Sequence, residues 1–144
     1  MMRGFTLVEL MVTMAIFALL LAIMAPNLKL LGDPLGDATQ QVEGALKQTR
    51  LKAMSNTMAV RVLPQSATRL KVESATNCAA TTWTAEPAFE RTLPKGIIFK
   101  TTAWSVCFDG RGIADNNAKI DLHRQSDGLE RHIEVLLGGA VVGP

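Results

Sequence analysis

The feature that most constrains this chain is an apolar run near its amino terminus, from Phe5 to Ala25. Only Thr6, Glu9 and Thr13 interrupt it with polar groups. At about 1.5 Å of rise per residue, the run predicts a helix of roughly 30 Å, the thickness of the hydrocarbon core of a bilayer. Apolar residues cover every face, so this helix does not lie on a soluble core with one apolar side. The sequence predicts a helix that sits in lipid or in an equally dry protein environment.

Glu9 is the one charged residue of this run. A lone carboxylate in a membrane helix costs at least about 2.5–3.5 kcal/mol on insertion scales, and such groups usually have a partner. The run contains no Lys or Arg, so the partner must be a chain terminus or another molecule. A cleaved secretory signal would need a shorter apolar region that ends on an A-x-A pattern. A plain membrane anchor fits the length but leaves Glu9 and the Gly4-Phe5 pair unexplained.

The segment from Gly4 to Glu9, which reads GFTLVE and precedes just such a helix, resembles the amino terminus of type IV pilin-like proteins. In that family the prepilin peptidase, a membrane enzyme, cuts after the glycine and methylates the new terminus. The resemblance implies cleavage between Gly4 and Phe5, with N-methylation of Phe5. It also implies assembly roles for Thr6, Glu9 and Pro26. The Glu9 carboxylate would pair with the terminal amine of a neighbouring subunit. Pro26 should kink the helix near its outer end.

The apolar run and the resemblance divide the chain into three parts. Residues 1–4 form the leader, residues 5–30 form a helix that spans the membrane and later lies in the filament core, and residues 31–144 form an exported globular domain. The net charge of +2 over 144 residues points to neither a strongly basic nor a strongly acidic partner. Arg3 precedes the run, which favours a cytoplasmic leader and an external domain under the positive-inside rule.

A second helix is predicted from residue 37 to about residue 56. Two glycines around a proline in residues 32–36 interrupt the first helix, and Asp37 with Gln40 gives a helix start signal. One apolar stripe of the second helix should cover a sheet. A smaller stripe nearly opposite should face either neighbouring subunits or a later loop, and it consists of Leu51, Met54 and Met58.

Beyond residue 56 the apolar period changes from 3.6 to 2, which predicts about seven short strands. Residues 74–92 are predicted to be an irregular connection, and Trp104 is expected to pack in the core. The predicted fold is α+β and pilin-like, with a long helix, half transmembrane and half amphipathic, packed on an antiparallel sheet. Three blocks resemble the strand blocks of GspH/FimT-type minor pilins and pseudopilins: residues 93–99, 107–112 and 131–135. The strands are predicted near residues 60–62, 69–73, 96–100, 104–109, 118–122, 133–135 and 140–142.

Two cysteines, Cys78 and Cys107, lie in the predicted exported domain. An even number in an oxidising compartment favours a disulfide, which would stabilise the fold by roughly 3–4 kcal/mol in the chain-entropy model. The alternative is a pair of free buried thiols. Neither cysteine has the histidine spacing of a zinc site.

No catalytic, cofactor or metal site is predicted. His123 and His132 have no metal or nucleophile spacing and are expected on solvated strand faces. An oxygen-rich patch could hold calcium, but its glycine placement and ligand spacing do not fit an EF-hand loop. Turns favour Asp, Asn and Gly in any case. This patch comprises Asp109, Asp115, Asn116, Asn117 and Asp121.

DNA is a further candidate partner, because some FimT-type minor pilins capture DNA during natural transformation. Affinity for DNA needs several cations presented together. The DNA-binding members carry an arginine near the carboxy terminus, whereas residues 137–144 contain none, which argues against direct binding. The candidate residues are Lys47, Arg50, Lys52 and Arg61.

The expected function is that of a non-enzymatic minor pilin or pseudopilin, held in the inner membrane with its domain in the periplasm and then assembled into a surface filament. A pilus role would serve natural transformation, adhesion or motility. One alternative is a type II secretion pseudopilin, and a second is a DNA receptor at the pilus tip. The expected partners are other pilin-like subunits, the prepilin peptidase, the inner-membrane assembly platform and, before assembly, the membrane.

Overall fold

The computed structural model describes residues 6–30 and 32–144 and, for residues 23–30, the backbone alone. The chain divides into two compact units, Met1–Asp33 and Pro34–Pro144. The first unit holds helix α1, Leu7–Leu30. Its described side chains, from residue 7 to residue 22, are all exposed. Among the residues that the structure describes, no helix meets the length and sustained hydropathy expected of a membrane span.

The second unit begins with helix α2, Pro34–Asn56. The prediction that this helix starts at Asp37 is therefore wrong by one turn. Proline suits the first position of a helix, because the amide hydrogen that it lacks would have no partner inside the helix there. Gly36 is accommodated within the first turn, where it is buried. The Gly-Pro-Gly segment interrupts the helical pattern only at its beginning.

Nine strands follow α2, and all their pairings are antiparallel, which confirms the predicted α+β class with a strand count close to the expected one. The connection predicted as irregular contains two strands of two residues each, β3 and β4, and a 3₁₀ helix at Pro87–Phe89. The strands are β1 Ala59–Ser66, β2 Arg69–Ala75, β3 Thr84–Ala85, β4 Arg91–Thr92, β5 Ile97–Phe99, β6 Val106–Phe108, β7 Ala118–Arg124, β8 Glu130–Val135 and β9 Val141–Val142.

The strands form two sheets rather than one. The first has the order β3-β2-β1-β6, with β4 also paired to β2, and the second has the order β5-β7-β8-β9. Helix α2 packs on strands of both sheets. Its buried stripe meets the inward residues of the strands in one core, where the predicted packing of Trp104 is also found, edge-on to Phe99 at 5.6 Å between ring centroids. The largest fully buried residues of this core are Phe108, Leu35, Leu46, Leu70, Ile97, Ile120, Leu122 and Ile133.

The second sheet ends in a tight hairpin between β8 and β9. The Gly139 N–H donates to the Leu136 carbonyl at 2.7 Å, and the Leu136 N–H donates to the Ala140 carbonyl at 2.9 Å. Gly139 has φ of +78°, a left-handed conformation that favours glycine. A Cβ at this position would lie 1.9 Å from the Gly112 carbonyl oxygen, so the turn also needs glycine for space.

Candidate functional site

The start of α1 is the first candidate site. Gly4 and Phe5 lie outside the described residues. The Thr6 side chain caps the helix, because its Oγ1 accepts the Glu9 backbone N–H at 3.3 Å and its carbonyl accepts the Leu10 N–H at 3.2 Å. The sequence signal for this cap is the Thr-x-x-Glu spacing, which is that of a capping box. Thr6 therefore fixes the beginning of the helix that carries Glu9.

Glu9 occupies the first turn of α1 and is exposed. A carboxylate is stabilised there by the positive end of the helix dipole. Among the side chains that the structure describes, those of residues 6–22 and 32–144, no Lys or Arg pairs with this carboxylate. Its predicted partner, the amine of a neighbouring chain, stays a prediction. The α1 backbone remains helical through position 26, where Pro26 lies.

The four candidate DNA-binding cations are not gathered on one open surface. Lys47 pairs with Glu43 at 2.6 Å, and Lys52 pairs with Glu86. Arg61 belongs to the first sheet, where its Nε donates to Glu73 at 2.8 Å. These carboxylates offset the charge that would attract phosphate, so the geometry gives the DNA hypothesis no support.

Arg50, the fourth of these residues, joins α2 to two turns. Its Nε donates to the Gly112 carbonyl at 2.9 Å, and its Nη2 lies 3.5 Å from the Gly138 carbonyl. Close approach at this junction depends on Gly112 and Gly139, which both have positive φ. A Cβ on Gly112 would lie 2.7 Å from Met54 Sδ, so the later turn covers Met54. Arg50 therefore stabilises the packing of α2 against these two turns, a role that its neighbours in the sequence do not predict.

The Cys78–Cys107 disulfide, with Cα atoms 5.8 Å apart, confirms the predicted bridge. It fixes residues 76–90, which we call the strap, to β6. Further along the strap, the Trp83 ring lies 4.1 Å from the Arg61 guanidinium carbon, and β3 pairs with β2. The strap therefore covers part of the outer face of the first sheet.

A nearly buried carboxylate, that of Glu73, lies on this face. Its oxygens accept Arg61 Nη2 at 2.7 Å and Lys71 Nζ at 2.6 Å. Burial pushes the pKa of Glu73 upward, but the hydrogen bonds and charges of Lys71 and Arg61 outweigh it and hold the pKa below its ordinary value. The hydrogen bonds of Lys52 and Ser74 likewise lower the pKa of Glu86. Both carboxylates are ionised at neutral pH and stabilise the fold.

The oxygen-rich patch is used mainly for backbone hydrogen bonds. Asp109 Oδ1 accepts the N–H groups of Arg111 and Ile113, and Asp115 Oδ1 accepts that of Cys107. Among the described residues, no group of three or more His, Cys, Asp or Glu side chains is arranged to hold a metal ion.

The two histidines differ in burial. His132 is exposed as predicted, whereas His123 is partly buried, with Nδ1 3.5 Å from a Glu130 oxygen. Its partial burial departs from the predicted solvated position, because Glu130 lies opposite it on the neighbouring strand.

Two apolar grooves flank the exposed side of α2. One, of about 400 Å³, lies between α2 and β9 and is lined by Lys47, Arg50, Leu51, Met54, Ala140 and Val141. The other, of about 530 Å³, lies between α2 and Phe89. Leu51 borders both grooves and is 61% exposed. Of the predicted second stripe, Met54 is covered by a later turn, whereas Leu51 remains open.

The chain is similar to known proteins in its amino-terminal motif and in its fold. The model of the prokaryotic N-terminal methylation motif matches residues 1–25. A crystal structure of the Pseudomonas aeruginosa type IV minor pilin FimU superposes with a TM-score of 0.62 and 15% identity, over 76% of this chain and 87% of that one. A second crystal form of FimU gives 0.60 and 15%, over 76% and 92%. No curated protein shows significant similarity to the chain. At this identity, the likeness establishes the fold.

Proposed function

The chain is a type IV pilin-like protein, and we propose that it is a minor pilin subunit of a type IV pilus-like filament. The observation that carries the proposal is the combination of the methylation motif at residues 1–25 with a domain of the minor-pilin fold. In this proposal the chain is a structural subunit rather than an enzyme. The prepilin peptidase cleaves it between Gly4 and Phe5, and the inner-membrane assembly platform transfers it into the filament.

Membrane storage followed by assembly is the mechanism that we propose for α1. The apolar surface of this helix is exposed, with Leu7 at 75% and Phe17 at 66%. Such a surface is stable only when lipid or other apolar helices cover it. Before assembly the bilayer would cover it, with the domain in the periplasm. Afterwards the helices of neighbouring subunits would do so.

Glu9 would set the register of that assembly. Helix α1 is capped just before it, so the carboxylate lies at a fixed place in the first turn. In a medium of low dielectric, a charge pair between Glu9 and the amine of a neighbouring subunit is strong, and an unpaired amine is costly. The docked pair would therefore favour one position of the incoming helix over others shifted along the axis.

A pilus role is our first proposal, because the solved structures that the domain resembles are those of a type IV minor pilin. A type II secretion pseudopilin remains the alternative within the same mechanism. A DNA receptor at the tip is the second alternative, and the pairing of Lys47, Lys52 and Arg61 with carboxylates speaks against it. If the purified protein retards duplex DNA in an electrophoretic mobility assay at physiological salt, the DNA-receptor alternative gains support.

The test of assembly is fractionation of the Glu9→Val variant between the membrane and sheared filaments. We expect a full membrane pool, because the variant places no carboxylate in the lipid, and a strong depletion from filaments. Thr13→Val is the matched control, since it removes a polar group from the same helix without touching the charge. Normal filament content of Glu9→Val would show that packing alone recruits the subunit and would contradict the role of Glu9.

Processing is tested separately by mass spectrometry of the mature protein. The proposal requires an N-methylated chain that starts at Phe5. A chain that starts at Met1 or beyond Ala25 would contradict the pilin function altogether. A correct start combined with normal filament content of Glu9→Val would contradict the docking step alone.

A further inference from the structure

Strand β9 is an edge strand with outward-facing backbone groups. Its register with β8 places Val141 opposite Val135. The adjacent pair, Leu136 and Ala140, is hydrogen-bonded through the Leu136 N–H at 2.9 Å, so the N–H and C=O of Val141 point away from β8. Among the described strands, β8 is the one neighbour of β9 in the second sheet. The Val141 backbone is therefore open to a further strand.

An apolar groove of about 400 Å³ lies between this edge and α2. Ala140 and Val141 line one side, and Leu51 and Met54 line the other. Open strand edges of natural proteins are usually covered, bulged or charged, because they pair readily with other strands. Here the edge is bordered by a leucine that is 61% exposed. An apolar wall beside open backbone groups is the geometry of a surface that takes an additional strand.

The two ends of the groove differ. At one end, the Arg50 Nε donates to the Gly112 carbonyl at 2.9 Å, and a Cβ on Gly139 would clash with the same oxygen. The turn at Gly112 is thus in contact with both sides of the groove. The other end lies between Glu43 and Gly143, where a Cβ on the glycine would be 2.5 Å from the Glu43 Oε2. An extended segment in the groove would therefore stop at the Gly112 turn.

Arg50 gives this closed end a positive charge. Its guanidinium is partly buried and lies against two backbone carbonyls. Among the described side chains, no carboxylate pairs with it, whereas the two lysines of the same helix both have carboxylate partners. Charges that leave water are usually paired. The closed end therefore favours a carboxylate at the point where an extended segment would have to stop.

We propose that the groove binds the carboxy-terminal segment of another protein as an additional strand antiparallel to β9. The segment would run from the Glu43 end to the Arg50 end, and its terminal carboxylate would pair with Arg50. With the last residue level with Gly139, the third-last residue lies opposite Val141 and exchanges backbone hydrogen bonds with it. Its last and third-last side chains would be apolar and would cover Leu51.

This proposal goes beyond the pilin function and does not depend on it. The occupant is a segment of a different protein, so its pairing with β9 leaves all copies of the chain in one common orientation in the membrane and in a filament.

The probe for the carboxylate is a peptide, Lys-Thr-Val-Thr-Val, with fluorescein on its amino terminus and a free carboxy terminus. The full chain in detergent micelles is titrated into it, and fluorescence anisotropy measures the affinity, with empty micelles as background. Amidation of the terminus should weaken binding about tenfold or more, because it removes a charge-assisted hydrogen bond. An amidated peptide with Asp as its last residue should bind no better than the amidated parent peptide.

The role of Arg50 is tested with Arg50→Gln, after its cooperative thermal unfolding has been verified. On this variant the free and the amidated peptide should bind equally. The comparison of the two peptides on the parent chain does not depend on the folding of the variant. If the amidated peptide, or the amidated peptide that ends in Asp, binds the parent chain as tightly as the free acid, the proposal is overturned.

The strand pairing is tested by N-methylation of the peptide. The N–H of the third-last residue would donate to the Val141 carbonyl, so its methylation should weaken binding several-fold or more. The N–H of the second-last residue would point away from β9, and its methylation is the matched control that should leave the affinity unchanged. Equal effects of the two methyl groups would overturn the proposed strand addition.

The groove itself is tested with Leu51→Asp, which should abolish binding of the free peptide. The matched control is Leu129→Asp, at a leucine that is 52% exposed elsewhere, and it should leave binding unchanged. Binding that survives Leu51→Asp, or a loss that Leu129→Asp shares, would contradict docking in this groove.

Discussion

Helices α1 and α2 have nearly the same length, 24 and 23 residues, yet the surroundings of their side chains differ. In α2 the buried stripe matches the two sheets of its own domain, and the charged residues lie on the other side. In α1 apolar residues cover every face and are exposed from residue 7 to residue 22. The sequence of α2 is therefore explained by contacts within the chain, whereas the exposed apolar side chains of α1 from residue 7 to residue 22 have no such explanation.

The largest expected effect separates the two sides of α2. Leu46 is fully buried, so Leu46→Ala should lower the free energy of unfolding by about 2–5 kcal/mol through lost burial and the cavity left behind. Leu51 is 61% exposed, and Leu51→Ala should change the free energy by no more than about 0.5 kcal/mol. Denaturant unfolding followed by Trp fluorescence measures both. Similar losses would mean that the open side of α2 is covered in the monomer.

The second effect concerns the strap. Removing the bridge with Cys78→Ser and Cys107→Ala together should cost about 3–4 kcal/mol, because the 29-residue separation leaves a long loop open in the unfolded chain. Unfolding of the double variant is compared with that of the oxidised and the fully reduced parent. Because Cys107 is buried in β6, alanine is the substitution that adds no polar group there. If reduction of the disulfide left the stability of the parent unchanged, the stabilising role of the disulfide would be contradicted.

The third effect tests the junction around Arg50. Gly139→Ala forces a side chain into a left-handed backbone position, which costs about 1–3 kcal/mol, and it also meets the Gly112 carbonyl. Gly128→Ala is the matched control, because Gly128 has φ of +75° and no atom within 4 Å of a built Cβ. Thermal unfolding should show a clearly larger loss for Gly139→Ala. Equal losses would mean that backbone strain alone accounts for both.

Local patterns predicted much of this fold. The apolar period predicted α2 and most strands, because a helix or strand that is buried on one face has apolar residues at a regular spacing along the sequence. The Asp-x-x-Gln box predicts a start of α2 at Asp37, but the helix begins at Pro34, because proline is favourable at the first helical position. Strands β3 and β4 were missed, since two residues cannot show an alternation. The disulfide followed from the number of cysteines and the expected compartment.

Apart from the disulfide, side-chain contacts between distant positions could not be predicted. Arg50 lies on a helix with two lysines, which suggested a basic surface, but its acceptors are 62 and 88 positions further along the chain. Arg61 and Glu73 meet only because of the register between β1 and β2. Glu86 reaches Ser74 only after the strap has folded back on β2. Pairings of this kind depend on topology rather than on the residues next to them.

The fourth effect is a pH dependence that belongs to the domain. The pKa of Glu73 is lowered in the folded state, so the unfolded chain binds more protons and stability falls as the pH drops below about 4.5, the ordinary value, and through the folded pKa. Glu73→Gln should reduce this acid loss while lowering stability at pH 7. Glu134→Gln, at an exposed carboxylate outside the described ion pairs, is the control. An acid profile of Glu73→Gln that parallels the parent would contradict the assignment.

The smallest expected effect is that of an exposed leucine in α1. Leu20 is 54% exposed, and the domain core is formed by residues from Leu35 to Val135, so Leu20→Ala should change the free energy of unfolding of the domain by no more than about 0.5 kcal/mol. The same Leu→Ala change at Leu46 is the matched control in α2. Both are measured on the full chain in one detergent, because a change in micelle would alter the cover of α1. A loss at Leu20 that approaches the loss at Leu46 would show that α1 supports the domain directly. A negligible loss would mean that the apolar surface of α1 contributes nothing to the stability of the domain.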